Sequence, residues 1–424
     1  MQVNFFNLTP SIDPSRLAWS EPLVAAFMTT SLKIAHCILI LAAVLLSSPS
    51  SSANDRILMD ATINGQPVHL GFDTGFGAPF ALWRNIAERL GLTWAPVGAN
   101  GISESGEMEF ALTQPVQVEC MGRQYAQVRL VVVDMPSYLQ SQAQGLVGWP
   151  AVKDKIIVLD GAEHTLKWAN KVPTESSKWF QMHVLPKHAG ALFLAIPDVH
   201  GKASSVVAID TGALCGVALS SKRWREWKAG HPHQPVTLTT YYTPIDGPVV
   251  REESWAGEIS LDGLILHEVA VTETESAISK AAGSEYAATL GWAGLRRLDL
   301  VIDGKAGVAY AHSRTDRPPV YDYNRLGAVF VPENERSDDL VAHVAVGSPA
   351  DIAGIRNGDL LLRIDQLDIR RWRTQPGIMP ISRFWGQPAG TRFVLTLKRG
   401  ADTIKITAIL KNILGQQSLQ PTPP

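Results

Sequence analysis

Cysteine is scarce in this 424-residue chain: Cys37, Cys120 and Cys215 are the full set, and none stands at a metal-binding spacing. A cysteine-built metal site is therefore not expected. The histidines are scattered, and those at His231 and His233 read as surface residues rather than ligands. If Cys37 leaves with a leader segment, Cys120 and Cys215 either pair as a disulfide or remain two separate buried thiols, the second being the plainer reading. Charge of one sign is also missing. The formal net charge is −2, with no long basic run, which argues against nucleic acid as the main partner. There is no glycine-rich phosphate loop and no Gly-x-Ser-x-Gly nucleophile turn. The one leading apolar run, Ile34 to Leu46, is too short for a comfortable membrane span. Apolar content of 46% with 18% charged residues excludes global disorder.

What the chain does have is a repeated stretch. Leu70-Gly71-Phe72-Asp73-Thr74-Gly75 recurs as Val207-Ala208-Ile209-Asp210-Thr211-Gly212. Each copy is an apolar strand running into Asp-Thr-Gly. A carboxylate directly after a buried strand is costly unless other groups hold it. The threonine hydroxyl both donates and accepts, and the glycine allows close backbone approach. Two such turns face to face would bring two carboxylates together, and like charges that close share one proton. Each copy also has a downstream partner. Gly145-Leu146-Val147-Gly148-Trp149 precedes Val158-Leu159-Asp160-Gly161, and Ala288-Thr289-Leu290-Gly291-Trp292 precedes Val301-Ile302-Asp303-Gly304, at the same spacing.

These paired motifs resemble the pepsin/retropepsin superfamily of aspartic proteases. The resemblance implies a mainly β chain with a duplicated two-lobed aspartic-protease β-barrel fold. It implies that Asp73 and Asp210 are the catalytic pair, supported by Thr74, Gly75, Thr211 and Gly212. It also implies an aspartic-type endopeptidase that needs no cofactor and no metal, acts on protein or peptide substrates, and is complete as a monomer. Phe76-Gly77 and Ala213-Leu214 stand where many relatives carry a small residue and then a hydroxyl.

Along the chain, residues 1–53 are expected to be an N-terminal extension and secretory signal. Met28 is the better start, followed by Lys33, the apolar run and Ser51-Ser52-Ala53. The mature protein is then periplasmic or secreted, with no stable membrane insertion. Residues 54–172 form the first lobe, with a hairpin turn at Asn64-Gly65, a helix from Trp83 to Leu90 and strands at Val116–Cys120 and Val128–Val133. The glycine-bearing tip Gly98 to Gly106 reads as either a substrate-covering flap or an ordinary surface turn. After a polar linker, residues 179–315 repeat the lobe, with a helix from Ser221 to Lys228. Their loop Tyr241 to Gly247 stands at the position of the first lobe's flap. A second linker leads to residues 320–413, where Gly347-Ser348-Pro349-Ala350-Asp351-Ile352-Ala353-Gly354 and then Gly358-Asp359 closely resemble a bacterial-type PDZ domain, an α+β fold. That likeness implies peptide binding at Arg325, Leu326, Gly327 and Ala328, with a helix over Ile378–Trp385 walling the groove. Residues 414–424 read as a polar tail. The competing expectation is a non-catalytic PDZ-containing scaffold that retains the protease fold.

Overall fold

The computed structural model describes residues 57–415, apart from 104–105, 136–141, 164, 186–189, 198–202, 244–246, 275–285, 318–319, 334–336 and 376. The expected signal segment, Cys37 and the tail from residue 416 lie outside the described residues. So do the tips of the two candidate flaps, at 104–105 and 244–246. The described residues are mainly β, in three sheets.

The first sheet contains β1 (Leu58–Ile63), β2 (Gln66–Asp73), β3 (Phe80–Trp83), β4 (Trp94–Ser103), β5 (Gly106–Thr113), β6 (Val116–Cys120), β7 (Arg123–Val128), β8 (Val131–Val133) and β9 (Gly145–Gly148). Their order is β4-β5-β8-β3-β9-β2-β1-β6-β7. Asn64 (φ 49°) and Gly65 (φ 80°) are both left-handed, the turn that matches strand twist and that Asn-Gly favours. The expected strand over Val128–Val133 is broken. Leu130 leaves the ladder to exchange hydrogen bonds with Thr113 (both 3.0 Å), so β7 and β8 lie at different places in the sheet. The helix covers Arg84–Arg89, with Trp83 held in β3 instead.

The second sheet contains β10 (Ile156–Asp160), β11 (Thr165–Ala169), β12 (Phe180–Val184), β13 (Phe193–Pro197), β14 (Ala203–Ile209), β15 (Val217–Ser220), β16 (Thr237–Thr243), β17 (Gly247–Leu261), β18 (Leu264–Thr274), β19 (Tyr286–Leu290), β20 (Leu298–Asp303) and β21 (Val308–Ser313). Its path β16-β17-β18-β15-β19-β14-β13 follows the pairing of β4-β5-β8-β3-β9-β2-β1 in the first sheet. In both, an antiparallel hairpin delivers the Asp-Thr-Gly strand (β2, β14), which pairs in parallel with the strand leading into the Gly-Trp motif (β9, β19). β10 and β11, expected in the first lobe, join this second sheet. Val158 stands opposite Val301, so the two apolar-apolar-Asp-Gly segments pair with each other. One buried apolar cluster accordingly runs through both strand series.

The third sheet contains β22 (Ala328–Pro332), β23 (Leu340–Val344), β24 (Leu360–Ile364), β25 (Leu367–Asp368), β26 (Arg392–Arg399) and β27 (Asp402–Ile409), with its own core around Leu326, Phe330, Trp372, Trp385 and Leu395. β22 is an edge strand. The helix Pro349–Ala353 is capped by Ser348 and stops at left-handed Gly354 (φ 92°), as the Gly-Ser-Pro-Ala pattern requires. The helix expected over Ile378–Trp385 is only Ser382–Trp385. Pro380 offers no N–H, and the Arg383 guanidinium takes the carbonyls of Gly377, Ile378 and Pro380 at 2.6–2.9 Å, so an earlier turn has no backbone ladder.

The third sheet is fastened to the second through the segment before it. Buried Arg297 donates to the carbonyls of Arg314 and Asp316 (3.1 and 2.6 Å) and pins the linker. Tyr323 and Leu414 pack with Trp255, so the expected tail begins inside a buried cluster, Leu414 being 2% exposed. Tyr321 Oη donates to Glu253 Oε2 at 2.6 Å. Glu253 is fully buried, and burial, partly offset by the tyrosine bond, lifts its carboxyl from an ordinary 4.5 to about 7.

A raised carboxyl pKa means the folded state holds the proton that the unfolded state has already lost. Stability from this group is full below about pH 4.5 and falls as pH rises to about 7, by on the order of 3 kcal/mol at about 1.4 kcal/mol per pH unit. Glu253→Gln should remove that slope. Urea-unfolding free energies of variant and wild type should diverge between pH 4.5 and 7, with the variant gaining. Parallel curves would contradict this assignment.

Candidate active site

Both aspartates stand where a buried strand stops. Asp73 is the last residue of β2, opposite Gly148 of β9, and Asp210 follows β14, its N–H donating to Leu290 O at 3.0 Å. They are 2% and 0% exposed. The chain then turns sharply in the same way at each: Phe76 N–H donates to Asp73 O, and Ala213 N–H to Asp210 O, both at 3.2 Å. A Cβ on Gly148 or Gly291 would come closer than 3.0 Å to the carbonyl oxygen of Phe76 or Cys215 respectively, so the Gly-Trp motifs give the turns their room. Trp149 and Trp292 are buried in the core behind them.

The two turns are joined by a symmetric set of hydrogen bonds. Thr74 N–H donates to Thr211 Oγ1 (3.0 Å) and Thr211 N–H to Thr74 Oγ1 (3.1 Å). Each hydroxyl donates onward to the carbonyl just before the other aspartate: Thr74 to Ile209 O (2.6 Å) and Thr211 to Phe72 O (2.9 Å). Each glycine of Asp-Thr-Gly lies under the opposite carboxyl. A Cβ on Gly75 would fall within 3.0 Å of the Asp210 carboxyl carbon, and one on Gly212 within 3.0 Å of that of Asp73. Residues some 137 positions apart are thereby brought to one point.

Burial and the nearby Asp73 carboxyl push Asp210 well above the usual carboxylate range, while the N–H groups of Gly212 and Ala213 on its Oδ1 (3.0 and 2.9 Å) pull it back. Asp73 acts on Asp210 both as a like charge and as a hydrogen-bond partner. Two buried carboxyl groups this close favour sharing one proton, because like charges at this distance oppose each other's ionisation. Such a pair offers a base and an acid side by side, the requirement for activating a water against a carbonyl.

The structure therefore brings Asp73, Thr74, Gly75, Asp210, Thr211 and Gly212 together. The residues that depart from the common pattern have other occupations. Phe76 is buried in the core, Leu214 packs against it, and two backbone N–H groups serve Asp210 where a hydroxyl is missing. Cys120 and Cys215 are free thiols. Burial pushes the Cys215 thiol up to about 12, so it stays protonated. Arg325, Leu326, Gly327 and Ala328 lie far along the chain, at the start of the third sheet. Arg325 donates to Gly386 O (2.7 Å), and the N–H groups of Leu326 and Gly327 both donate to Asn324 Oδ1 (2.9 and 3.1 Å). Asn324 and Glu253 were not singled out by sequence reasoning. Glu253 shares strand parity with inward-facing Trp255, which is a usable signal; Asn324 has none. Among the described residues, no cluster of three or more His, Cys, Asp or Glu could hold a metal ion.

One family model matches within the first strand series. Residues 59–151 match the family described as aspartyl protease, which supports an aspartyl protease family and a protease hydrolase. A solved structure of EIAV protease complexed with the inhibitor HBY-793 is 21% identical, covering 26% of this chain and 93% of that one, with a TM-score of 0.19. No curated protein matches.

Replacing Thr211 by Val keeps the shape but leaves Thr74 N–H and Phe72 O without their buried partner. Each orphan costs about 1–3 kcal/mol. Urea denaturation should show a loss of roughly 2–4 kcal/mol, most of it recovered in Thr211→Ser. A change within about 0.5 kcal/mol would contradict the role given to this hydroxyl.

Proposed function

We propose that the protein is an aspartic-type endopeptidase with two duplicated lobes and one catalytic pair, Asp73 and Asp210. The observation that carries this reading is the reciprocal threonine bonding, which sets two buried carboxyls against each other's glycine. In this reading the pair holds a water. The ionised aspartate takes a proton as the oxygen attacks the scissile carbonyl, and the protonated one donates to the carbonyl oxygen. The proton then passes to the leaving amine, and no covalent enzyme intermediate forms. The hairpins β4–β5 and β16–β17 occupy equivalent positions in their sheets and would flank the substrate.

Residues 320–413 are read as a PDZ-type domain. Its support is the Ser348-capped helix ended by Gly354, and edge strand β22 following the Arg325–Gly327 turn. The partners are protein or peptide substrates, and the pair forms within one chain. A periplasmic or secreted location is proposed from the signal-like residues 28–53. Among the described residues no helix is long and apolar enough to cross a membrane.

Cleavage of a peptide library, followed by mass spectrometry, tests this reading. Asp73→Asn and Asp210→Asn should each lower the rate at least ~100-fold while the far-UV spectrum stays native. Because Asp210 is raised, the shared proton survives past the ordinary carboxylate range of about 4. Activity should therefore persist above that range and fall as pH climbs through the raised value. Cleavage that persists in both variants would contradict the role given to Asp73 and Asp210, and none by wild type from acidic to neutral pH would favour a non-catalytic scaffold.

A further inference from the structure

The turn expected to receive a peptide is already filled, and what fills it belongs to the protein. Leu326 and Gly327 present two consecutive backbone N–H groups that converge on one oxygen, with Gly327 left-handed (φ 74°). Two convergent amides of this kind make a concavity suited to an anion, above all a carboxylate. Arg325, directly before them, is buried with its guanidinium over the Tyr323 ring at 4.3 Å, and its Nε has no hydrogen-bond partner among the described residues. The oxygen now in the concavity is Asn324 Oδ1.

The other end of the same carboxamide holds the second sheet. Asn324 Nδ2 donates to Leu238 O of β16 (2.9 Å) and to Ala328 O of β22 (2.8 Å). Thr237 Oγ1 of β16 donates to Asn324 O at 2.6 Å. β16 and β22 are each the edge strand of their own sheet, and Asn324 sits where the edges meet, 5% exposed. An incoming carboxylate cannot use the two amides until this side chain turns away. Turning it away also breaks its bond to Leu238, at the base of the β16–β17 hairpin.

We infer that Asn324 is a built-in occupant of the carboxylate turn, and that capture of a free peptide C-terminus there unclasps the β16–β17 hairpin. The inference rests on reading residues 320–413 as a peptide-capture domain. By linkage, capture and opening of the hairpin favour each other to the same factor as long as Asn324 is free to leave the turn.

The full-length protein is tested by fluorescence anisotropy with a dye-labelled heptapeptide pool, randomised at its last three apolar positions, with either a free or an amidated C-terminus. Asn324→Ala should bind the free-acid pool at least tenfold tighter than wild type, with no gain for the amidated pool. Asn324→Asp keeps the oxygens in the turn but loses Nδ2. It should gain no affinity, while deuterium uptake over residues 237–241 rises. Thr237→Val, which frees Asn324 O alone, should give a gain of about threefold and carries the test if Asn324→Ala fails to fold. Two results would overturn the inference: no free-acid gain over wild type in Asn324→Ala, or in Thr237→Val if Asn324→Ala does not fold, and an equal gain for amidated peptides. If no variant binds either pool, the peptide-capture reading falls as well. The protease reading is judged separately, by the aspartate variants.

Discussion

The structure depends on two threonines that each complete the other's hydrogen bonding. Thr74 and Thr211 lie in a dry place, where a backbone N–H or hydroxyl without a partner is costly. Each supplies the acceptor for the other's N–H and a donor for the carbonyl preceding the other's aspartate. Neither turn is satisfied alone. A low local dielectric strengthens such a set once it is complete and penalises any missing member, so it fixes the relation between the two strand series more sharply than apolar packing does. Leu192 N–H on Thr74 O (2.9 Å) ties the start of the second series into the same point.

The carboxyl pair follows from that constraint. Once the threonines are engaged, the residue before each must project from its strand end, and the residue after each must be glycine because the opposite carboxyl lies against it. Burial opposes charge on both aspartates, and proximity opposes charge on the second. The result is a chemically asymmetric pair on a nearly symmetric frame. The paired segments β10 and β20, joined register for register from Ile156–Asp303 to Asp160–Asp299, brace the frame behind it.

Much of this was legible in the sequence because the same local need arises twice. Asp-Thr-Gly, Gly-Trp and the apolar-apolar-Asp-Gly segments recur at matched spacing, and the structure gives each a reason: turn, room for the turn, and mutual pairing. Asn64-Gly65 and the short helix between Gly347 and Gly354 were readable because turn chemistry is local. What escaped was set by distant partners. The break between Val128 and Val131 answers to Thr113, the shortened helix at Ser382 to the Arg383 guanidinium, and β10's place in the second sheet to β20. Asn324 looks like any loop asparagine until Leu238, 86 residues away, is beside it. Glu253 is an unremarked strand acid until Tyr321 closes over it.

The C-terminal sheet is thus more than a loose appendage. Tyr321, Tyr323, Asn324 and Leu414 bind it to β16 and β17 through apolar packing and bonded polar groups together. The placement of the two buried carboxyls requires that Asp73 and Asp210 titrate as one unit. Carboxyl 13C chemical shifts, followed against pH in protein labelled at aspartate, test it most directly. One of the two resonances should stay protonated well past the ordinary carboxylate range and return toward that range in Asp73→Asn. Two independent titrations at ordinary carboxylate values would contradict the account.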